Sequence, residues 1–377
     1  MIFTEVRFVA LFLACALCFF LFPRRLRTAV IAFWGAVFYA VYAGWFLLIA
    51  LALAVITLFS RRRAVALVGG AVTILLLAFF KLPGDSKTVP LLVPLGFSYL
   101  AFELLHVMIE RRRARITVLS PTDLLAFVFF MPARVAGPIK RYPEFVSAVQ
   151  DAELTVSNVY EGMLRVLVGL FKKLVLADVL ALTVAENAYV ASGRQAWTIV
   201  LAYSLQIYFD FSAYSDIAIG LARMLGIALP ENFRRPYLSP NIREFWDRWH
   251  ITLSHWVRDY VFTPFGRRLF QTRLRRLPAV IAVLSYLVTF LIVGAWHGLT
   301  AAFLLWGLYH GVMLSCYHII RLKMPLRIAG HPWYQSRAVH AAGVVLTFVC
   351  VTIGWVPFML PLQQAEHMLA LMFGVGK

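Results

Sequence analysis

The stretch TAVIAFWGAVFYAVYAGWFLLIALALAVITLF, from Thr28 to Phe59, runs for 32 residues without a charge. One helical crossing of a bilayer takes roughly 20 residues. The run is therefore too long for one span and divides into two short helices around Tyr42–Gly44. Arginines stand on both sides of it: Arg24, Arg25 and Arg27 before, Arg61, Arg62 and Arg63 after. A hairpin that starts and ends on one side satisfies the rule that basic residues collect in cytoplasmic loops.

The neighbouring segments repeat this arrangement. Phe8–Phe22 is apolar and is followed by the first arginine cluster, whereas a cleavable leader carries its positive charge before the apolar stretch. Ala64–Phe80 crosses to a polar link containing Lys81, Asp85 and Lys87, and Leu91–Ile109 returns to Arg111, Arg112, Arg113 and Arg115. Every cluster falls on one side if the N-terminus is extracytoplasmic. Leu124–Met131 is too short to span and ends at Pro132, which predicts a re-entrant or kinked element. Gly162–Ala185 and Ala196–Gly226 can span, although Lys172 and Lys173 interrupt the first and Asp210 and Asp216 the second. After a polar, arginine-rich region, Glu231–Arg276, the membrane pattern resumes in Ala279–Val293, Leu299–Ile320, Ala342–Pro361 and the short Leu362–Val375. These run lengths predict an all-α polytopic membrane protein of about ten or eleven membrane helices. No linker or repeat divides it, so residues 1–377 read as a single integral-membrane domain.

Composition agrees. Hydrophobic residues make up 62% of the 377 and charged residues 14%, against about 45–50% and about 25% in an ordinary soluble domain. That excludes a water-soluble enzyme, a disordered chain and a disulfide scaffold. The net charge of +18 comes from 36 basic and 18 acidic residues. The basic residues sit in clusters between apolar runs, which speaks for topology and against nucleic-acid binding. Cys15, Cys18, Cys316 and Cys350 all lie in apolar stretches, without staple or metal spacing, and read as small buried residues.

Three polar constellations interrupt this apolar background. In Gln206–Asp216, helical spacing puts Gln206, Asp210 and Tyr214 on one stripe and Ser212, Ser215 and Asp216 on the next. An ionisable group inside a membrane usually pairs or lines a cavity. The plain structural reading has Asp210 meeting an arginine or a backbone donor. In Phe245–Tyr260, Trp246, Trp249, Leu253 and Trp256 recur at three- and four-residue intervals beside a polar stripe of Asp247, His250, Ser254 and Arg258, with Arg248 between them. That pattern predicts an amphipathic interfacial helix with aromatics at headgroup depth. Third, Gly294-Ala295-Trp296-His297-Gly298 precedes Trp306-Gly307-Leu308-Tyr309-His310-Gly311. A histidine here serves either as hydrogen-bonding glue between helices or as a proton carrier near neutral pH. No phosphate loop, G-x-S-x-G elbow, H-E-x-x-H or Cys/His metal spacing is present, which argues against an ATP-driven pump, a serine hydrolase and a zinc protease.

At these residues the sequence resembles the membrane-bound O-acyltransferases. More narrowly, it resembles the bacterial branch of the alginate O-acetylation membrane protein and the D-alanyl-lipoteichoic-acid acyltransferase. The resemblance runs from about Leu91 to Phe373. Its carriers are Pro94–Tyr99, Ala136–Tyr142, Gly169–Lys173, Tyr208–Asp216, Glu231-Asn232-Phe233, Pro236-Tyr237, Glu244–His250 and Trp296-His297-Gly298, a specific set in this order. Phe130-Met131-Pro132 is similar to the D-alanyl type and Phe211–Asp216 to the alginate type, so the acyl group stays open. The resemblance ends before the further C-terminal helices of alginate-type members.

Such a resemblance implies a funnel of helices with re-entrant pieces and a tunnel through its thin centre. It assigns His297 as the catalytic residue and places His250 in the tunnel. Asp210, Trp246, Arg248, Trp249, Ser254, Trp296, Tyr309 and His310 follow as candidates for substrate or donor binding. It implies O-acyl transfer, acetyl or D-alanyl in type, to a hydroxyl of an extracytoplasmic envelope polymer, in a multi-pass protein of the bacterial inner membrane. The donor would be a cytoplasmic thioester, acetyl-coenzyme A or a phosphopantetheinyl acyl carrier protein. No bound cofactor or metal is expected. Transfer would be direct or relayed through a periplasmic acyltransferase or a small membrane partner. In the expected chemistry His297 is the general base, and His250 stabilises the developing oxyanion or orients the donor. The arginines of Arg234–Arg276 face an acidic donor or simply mark a cytoplasmic loop. The competing reading is a transporter or flippase without covalent chemistry, since midplane acids and helix gaps serve a solute path equally well.

Overall fold

The computed structural model describes residues 2–82, 94–186, 190–325, 331, 333 and 336–375. Asp85, Lys87 and the start of the expected Leu91–Ile109 span lie outside the described residues. Among those described, the regular structure is entirely helical. The longer helices are α1 (Val6–Leu21), α2 (Arg27–Ala43), α3 (Phe46–Leu58), α4 (Arg63–Phe79), α5 (Phe97–Arg112), α6 (Pro121–Phe129), α7 (Tyr142–Gln150), α8 (Val156–Phe171) and α9 (Asp178–Glu186). They are followed by α10 (Gly193–Met224), α11 (Ile242–Arg248), α12 (Ile251–Val257), α13 (Thr263–Phe270), α14 (Pro278–His297), α15 (Ala301–Lys323), α16 (Arg337–Met359) and α17 (Leu362–Met372). Among the described residues, four helical stretches are long and apolar enough to cross a membrane: Arg24–Ala43, Pro278–His297, Ala301–Lys323 and Arg337–Met359. The protein is an integral membrane protein.

The expected hairpin forms where its length requires. Helix α2 stops at Gly44, whose φ of 58° a side chain would resist, and α3 starts two residues later. The short Leu124–Met131 run is the nine-residue α6, followed by a 3-10 turn, Met131–Ala133, that accommodates Pro132. The helix of Gly162–Ala185 carries a π-helical segment at Lys172–Ala177, where the lysines interrupt the apolar run.

Contacts divide the chain into two compact units. The first comprises Met1–Phe80, Gly84–Lys173 and Phe211–Glu231; the second comprises Lys81–Pro83, Leu174–Asp210 and Asn232–Lys377. In the first unit, α1, α2, α5 and α6 enclose a core that includes Phe8, Phe38, Tyr39, Leu104 and Phe127. Arg111 donates to Leu58 O at 2.6 Å and Arg112 to Arg61 O at 3.3 Å, so two of the arginine clusters meet at one end of this unit. Deeper in, Glu103, Arg134 and Lys140 are each 1% exposed. Arg134 reaches Glu103 at 3.0 Å, Lys140 bonds the other carboxylate oxygen, and three phenyl rings surround the ammonium. One acid of α10 that meets an arginine is Asp216. Asp216 accepts from Arg165 at 3.0 Å and from Lys172 at 2.5 Å, and Arg165 continues to Glu231 at 2.5 Å. The cysteines are all free thiols; Cys15 is buried as expected, whereas Cys316 faces outward.

Candidate active site

All the histidines of interest lie in the second unit. Helix α14 begins with Pro278 at its first turn and is uncharged through Gly294. It ends at His297 because Gly298 closes the last turn onto Gly294 O at 3.2 Å. Thr300 caps the start of α15 by accepting from Phe303 N, leaving a turn of only three residues. The two helices then pack backbone against backbone. A Cβ at Gly294 would stand 2.4 Å from Phe303 O, and one at Gly307 would stand 2.3 Å from Phe290 O. This approach seats the His297 ring edge-on to Trp306 (5.2 Å, 85°) and to Phe358 of α16 (4.7 Å, 78°).

His250 arrives by a different route, and here the sequence expectation fails. Phe245–Tyr260 is not one amphipathic helix. It breaks into α11 and α12 at His250, whose φ of 42° and ψ of 54° are left-handed. A non-glycine residue in that region is strained and persists only when its surroundings impose it. Its neighbours hold it: Ile251 N–H donates to Asn232 O at 2.9 Å, and Trp249 N–H to Phe245 O at 2.7 Å. Trp246, Trp249 and Trp256 are 8%, 4% and 6% exposed, so these indoles pack inside the protein rather than on the outer face of one amphipathic helix. The break turns the His250 ring inward, 6.4 Å from Trp296, which in turn lies 4.4 Å from His297.

The polar partners of His250 define its tautomer. Asn232 Oδ1 accepts from the Thr252 hydroxyl at 2.7 Å and from the Thr252 backbone N–H at 3.4 Å. A backbone N–H can only donate, so this amide atom is the oxygen. His250 Nδ1, 3.1 Å from the same atom, therefore carries a proton, and Nε2 is the lone-pair nitrogen of the neutral ring. Burial pushes the His250 pKa down to about 3, because a charged imidazolium would lose its hydration.

The other candidates divide between this centre and its scaffold. His310, on α15, is fully buried among Trp246 (5.2 Å), Trp306 (5.0 Å), Tyr309 and Trp355. Its two ring nitrogens and the indole N–H groups of Trp246 and Trp306 have no hydrogen-bond partner among the described residues. Trp249 packs on Trp355 at 5.0 Å. The Tyr309 hydroxyl donates to Cys350 O at 2.8 Å and ties α15 to α16. Arg248 holds Glu244 at 2.8 Å and Leu238 O at 3.3 Å, and Ser254 donates to Trp249 O, so both brace the break, and Ser254 also lines the cavity beside Trp246. Asp210 is half-buried on α10 near Tyr203.

Sequence reasoning missed Lys81 as a site residue. Its ammonium lies 3.4 Å from His297 O and 5.9 Å from the Trp296 ring centre. Only its isolation at the end of an apolar run marks it in the sequence. Beside the aromatic box lies a cavity of about 230 Å³. Trp246, Thr289 and Phe290 form its inner wall, with Arg243, Asp247 and Arg258 also lining it.

Fold and site together define a class: a helical membrane protein with two histidines held in an aromatic, largely dry setting. The sequence model of the membrane-bound O-acyltransferase family matches residues 36–351, and the chain belongs to that family. Three relatives illustrate its range. "Probable alginate O-acetylase AlgI" of Azotobacter vinelandii is 36% identical over 294 residues, covering 76% of this chain and 55% of the relative. "Teichoic acid D-alanyltransferase" of Bacillus subtilis is 32% identical over 269 residues, covering 68% and 66%. "Peptidoglycan O-acetyltransferase" of Helicobacter pylori is 36% identical over 268 residues, covering 67% and 47%. The chain thus spans about half the length of the alginate relatives it matches.

Proposed function

We propose that this protein is an O-acyltransferase of the bacterial inner membrane. It moves an acyl group of acetyl or D-alanyl type from a cytoplasmic thioester to a hydroxyl of an extracytoplasmic envelope polymer, directly or through a relay partner. The observation that carries this reading is the pairing of His297 with His250 across Trp296 in a member of this family. A transporter needs no such pair, and every named relative above is a transferase or acetylase.

In the proposed reaction the His297 ring takes the proton of the acceptor hydroxyl as its oxygen attacks the thioester carbonyl. The new C–O bond gives a tetrahedral oxyanion. Its collapse breaks the C–S bond, and the thiolate leaves with the proton returned from His297. Of the two roles open to His250, the Nδ1–H tautomer supports the orienting one. A neutral ring with a lone pair at Nε2 accepts a hydrogen bond, from the acceptor hydroxyl or from a donor amide, and does not donate to an oxyanion. Lys81 is the nearby cation that could answer developing negative charge. The donor, acetyl-coenzyme A or a phosphopantetheinyl carrier protein, would enter by the cavity under Trp246, with Arg243 and Arg258 answering its phosphate.

The same reading gives a single domain, 1–377, of about ten or eleven membrane segments with a central tunnel. Its N-terminus is extracytoplasmic and its arginine clusters cytoplasmic, which the meeting of Arg111 and Arg112 with Leu58 and Arg61 supports. The test is purified protein with radiolabelled acetyl-coenzyme A and a D-alanyl carrier, alone and with an acceptor polymer or candidate relay protein, beside His297→Ala. Label transfer that His297→Ala lowers by about 10²–10⁴-fold is expected. Full transfer by the folded variant would remove His297 from the mechanism.

A further inference from the structure

On the second unit, α13 lies against the first half of α14 and encloses with it a cleft of about 470 Å³. Phe262, Phe270, Ala279, Ile281, Ala282 and Leu322 form its walls. The Ser285 hydroxyl is committed to Ile281 O at 2.7 Å, and apart from Arg267 the other polar side chains of this mainly apolar lining are those of Thr263 and His318. The volume falls within the roughly 300–1,000 Å³ typical of sites for a single small ligand.

The rim is of the opposite character. Arg267 lines the cleft, Arg268 follows it on α13, and Arg273, Arg275 and Arg276 line a second hollow on the 3-10 turn that leads into α14. None of these five arginines pairs with an acid among the described residues. Phe270, between them in the chain, and Leu277, just after the last, are 49% and 53% exposed. Unpaired arginines on a short amphipathic helix, next to apolar side chains left exposed, are the pattern of a segment lying at the surface of an anionic membrane.

An apolar slot with one unpaired guanidinium in its lining, and three more on the turn that joins its two helices, is complementary to an amphiphile with an anionic phosphate head. We infer that the cleft between α13 and α14 holds one acyl chain of an anionic phospholipid, with Arg267, Arg273, Arg275 and Arg276 on its phosphate. This assigns those arginines to the lipid and separates them from Arg243 and Arg258 at the donor cavity. The inference does not depend on the proposed reaction.

The test is lipid retention by the full chain in a neutral detergent, followed by native mass spectrometry. Phosphatidylglycerol and phosphatidylcholine of identical acyl chains compete at equal concentration. The wild type is expected to retain phosphatidylglycerol in preference by about tenfold or more. Joint Arg→Gln replacement at the four positions abolishes that preference, while joint Arg→Lys replacement keeps most of it, since the charge remains. Ala282→Phe, which fills the slot, lowers retention of both lipids. Equal retention of the two lipids by the wild type overturns the inference without any variant. It is also overturned if inorganic phosphate alone displaces the bound lipid. A third contrary result is a glutamine variant that keeps its lipid preference and instead raises the KM for a coenzyme A thioester, which would return the arginines to the donor.

Discussion

The side-chain oxygen of Asn232 lies 3.1 Å from His250 Nδ1 and also accepts from both the hydroxyl and the backbone N–H of Thr252. Asn232 therefore sets the tautomer of a histidine 18 positions later in the chain, and with it which ring nitrogen carries the proton. Removing the acceptor leaves a buried donor unmet, at about 1–3 kcal/mol. If that cost appears in the barrier, Asn232→Ala lowers the rate roughly 5- to 150-fold. Asn232→Asp also accepts from Nδ1 and restores most of the rate, but its carboxylate favours the imidazolium. The rate profile of Asn232→Asp should then fall away on the acid side at a higher pH than that of the wild type. Equal loss in both variants, with no pH change, would reduce Asn232 to a packing residue.

The depressed pKa of His250 predicts a stability effect of definite sign. The folded protein holds this ring neutral down to about pH 3, whereas unfolded histidine takes a proton near 6.5. Below 6.5 the unfolded chain binds the extra proton, so stability is fully present above that value and declines as pH falls toward 3. Thermal unfolding in detergent between pH 7 and pH 4.5 should show His250→Gln losing less stability on acidification than the wild type. Parallel curves would mean that the ring is hydrated.

The approach of α14 to α15 leaves no space for a side chain. A Cβ at Gly307 would lie 2.3 Å from Phe290 O, a backbone atom that cannot step aside alone. Gly307→Ala is expected to cost about 1–3 kcal/mol through overpacking. It should also lower acyl transfer further than the lost folded fraction explains, because His297 rides at the end of α14. Gly44→Ala, at an open position with positive φ, is the control. It strains a turn of the first unit and should leave transfer by the folded fraction unchanged.

In the first unit, Glu103 is the single acid between two buried cations, Arg134 and Lys140. Removing one partner of a buried pair leaves an uncompensated charge, at about 3–5 kcal/mol. Glu103→Gln strands both cations, whereas Lys140→Met leaves a one-to-one pair of Glu103 with Arg134. Thermal unfolding should therefore rank Glu103→Gln well below Lys140→Met, with the latter near the wild type. The reverse order would show that Lys140 is the group that holds the cluster together.

Much of the helical framework was legible along the chain. The length and lack of charge of Thr28–Phe59 implied two helices, and Gly44 separates them. The apolar runs near Ala279, Leu299, Ala342 and Leu362 each became a helix within a few residues of the expected limits. Periodicity misled at Phe245–Tyr260. Its three- and four-residue spacing satisfies a helix, but Asn232 holds His250 in the left-handed region and breaks it.

By itself, then, the sequence determined the membrane character, the limits of several apolar helices and the histidines worth naming. Each of these depends on the chemistry of consecutive residues and on the thickness of a bilayer. Tertiary structure alone decided which polar groups meet. The backbone contact at Gly294 and Gly307 aims His297, Asn232 sets the tautomer of His250, and Lys81 comes to His297 O from 216 positions away. Such pairings follow from packing between segments remote in the chain, and no local periodicity records them.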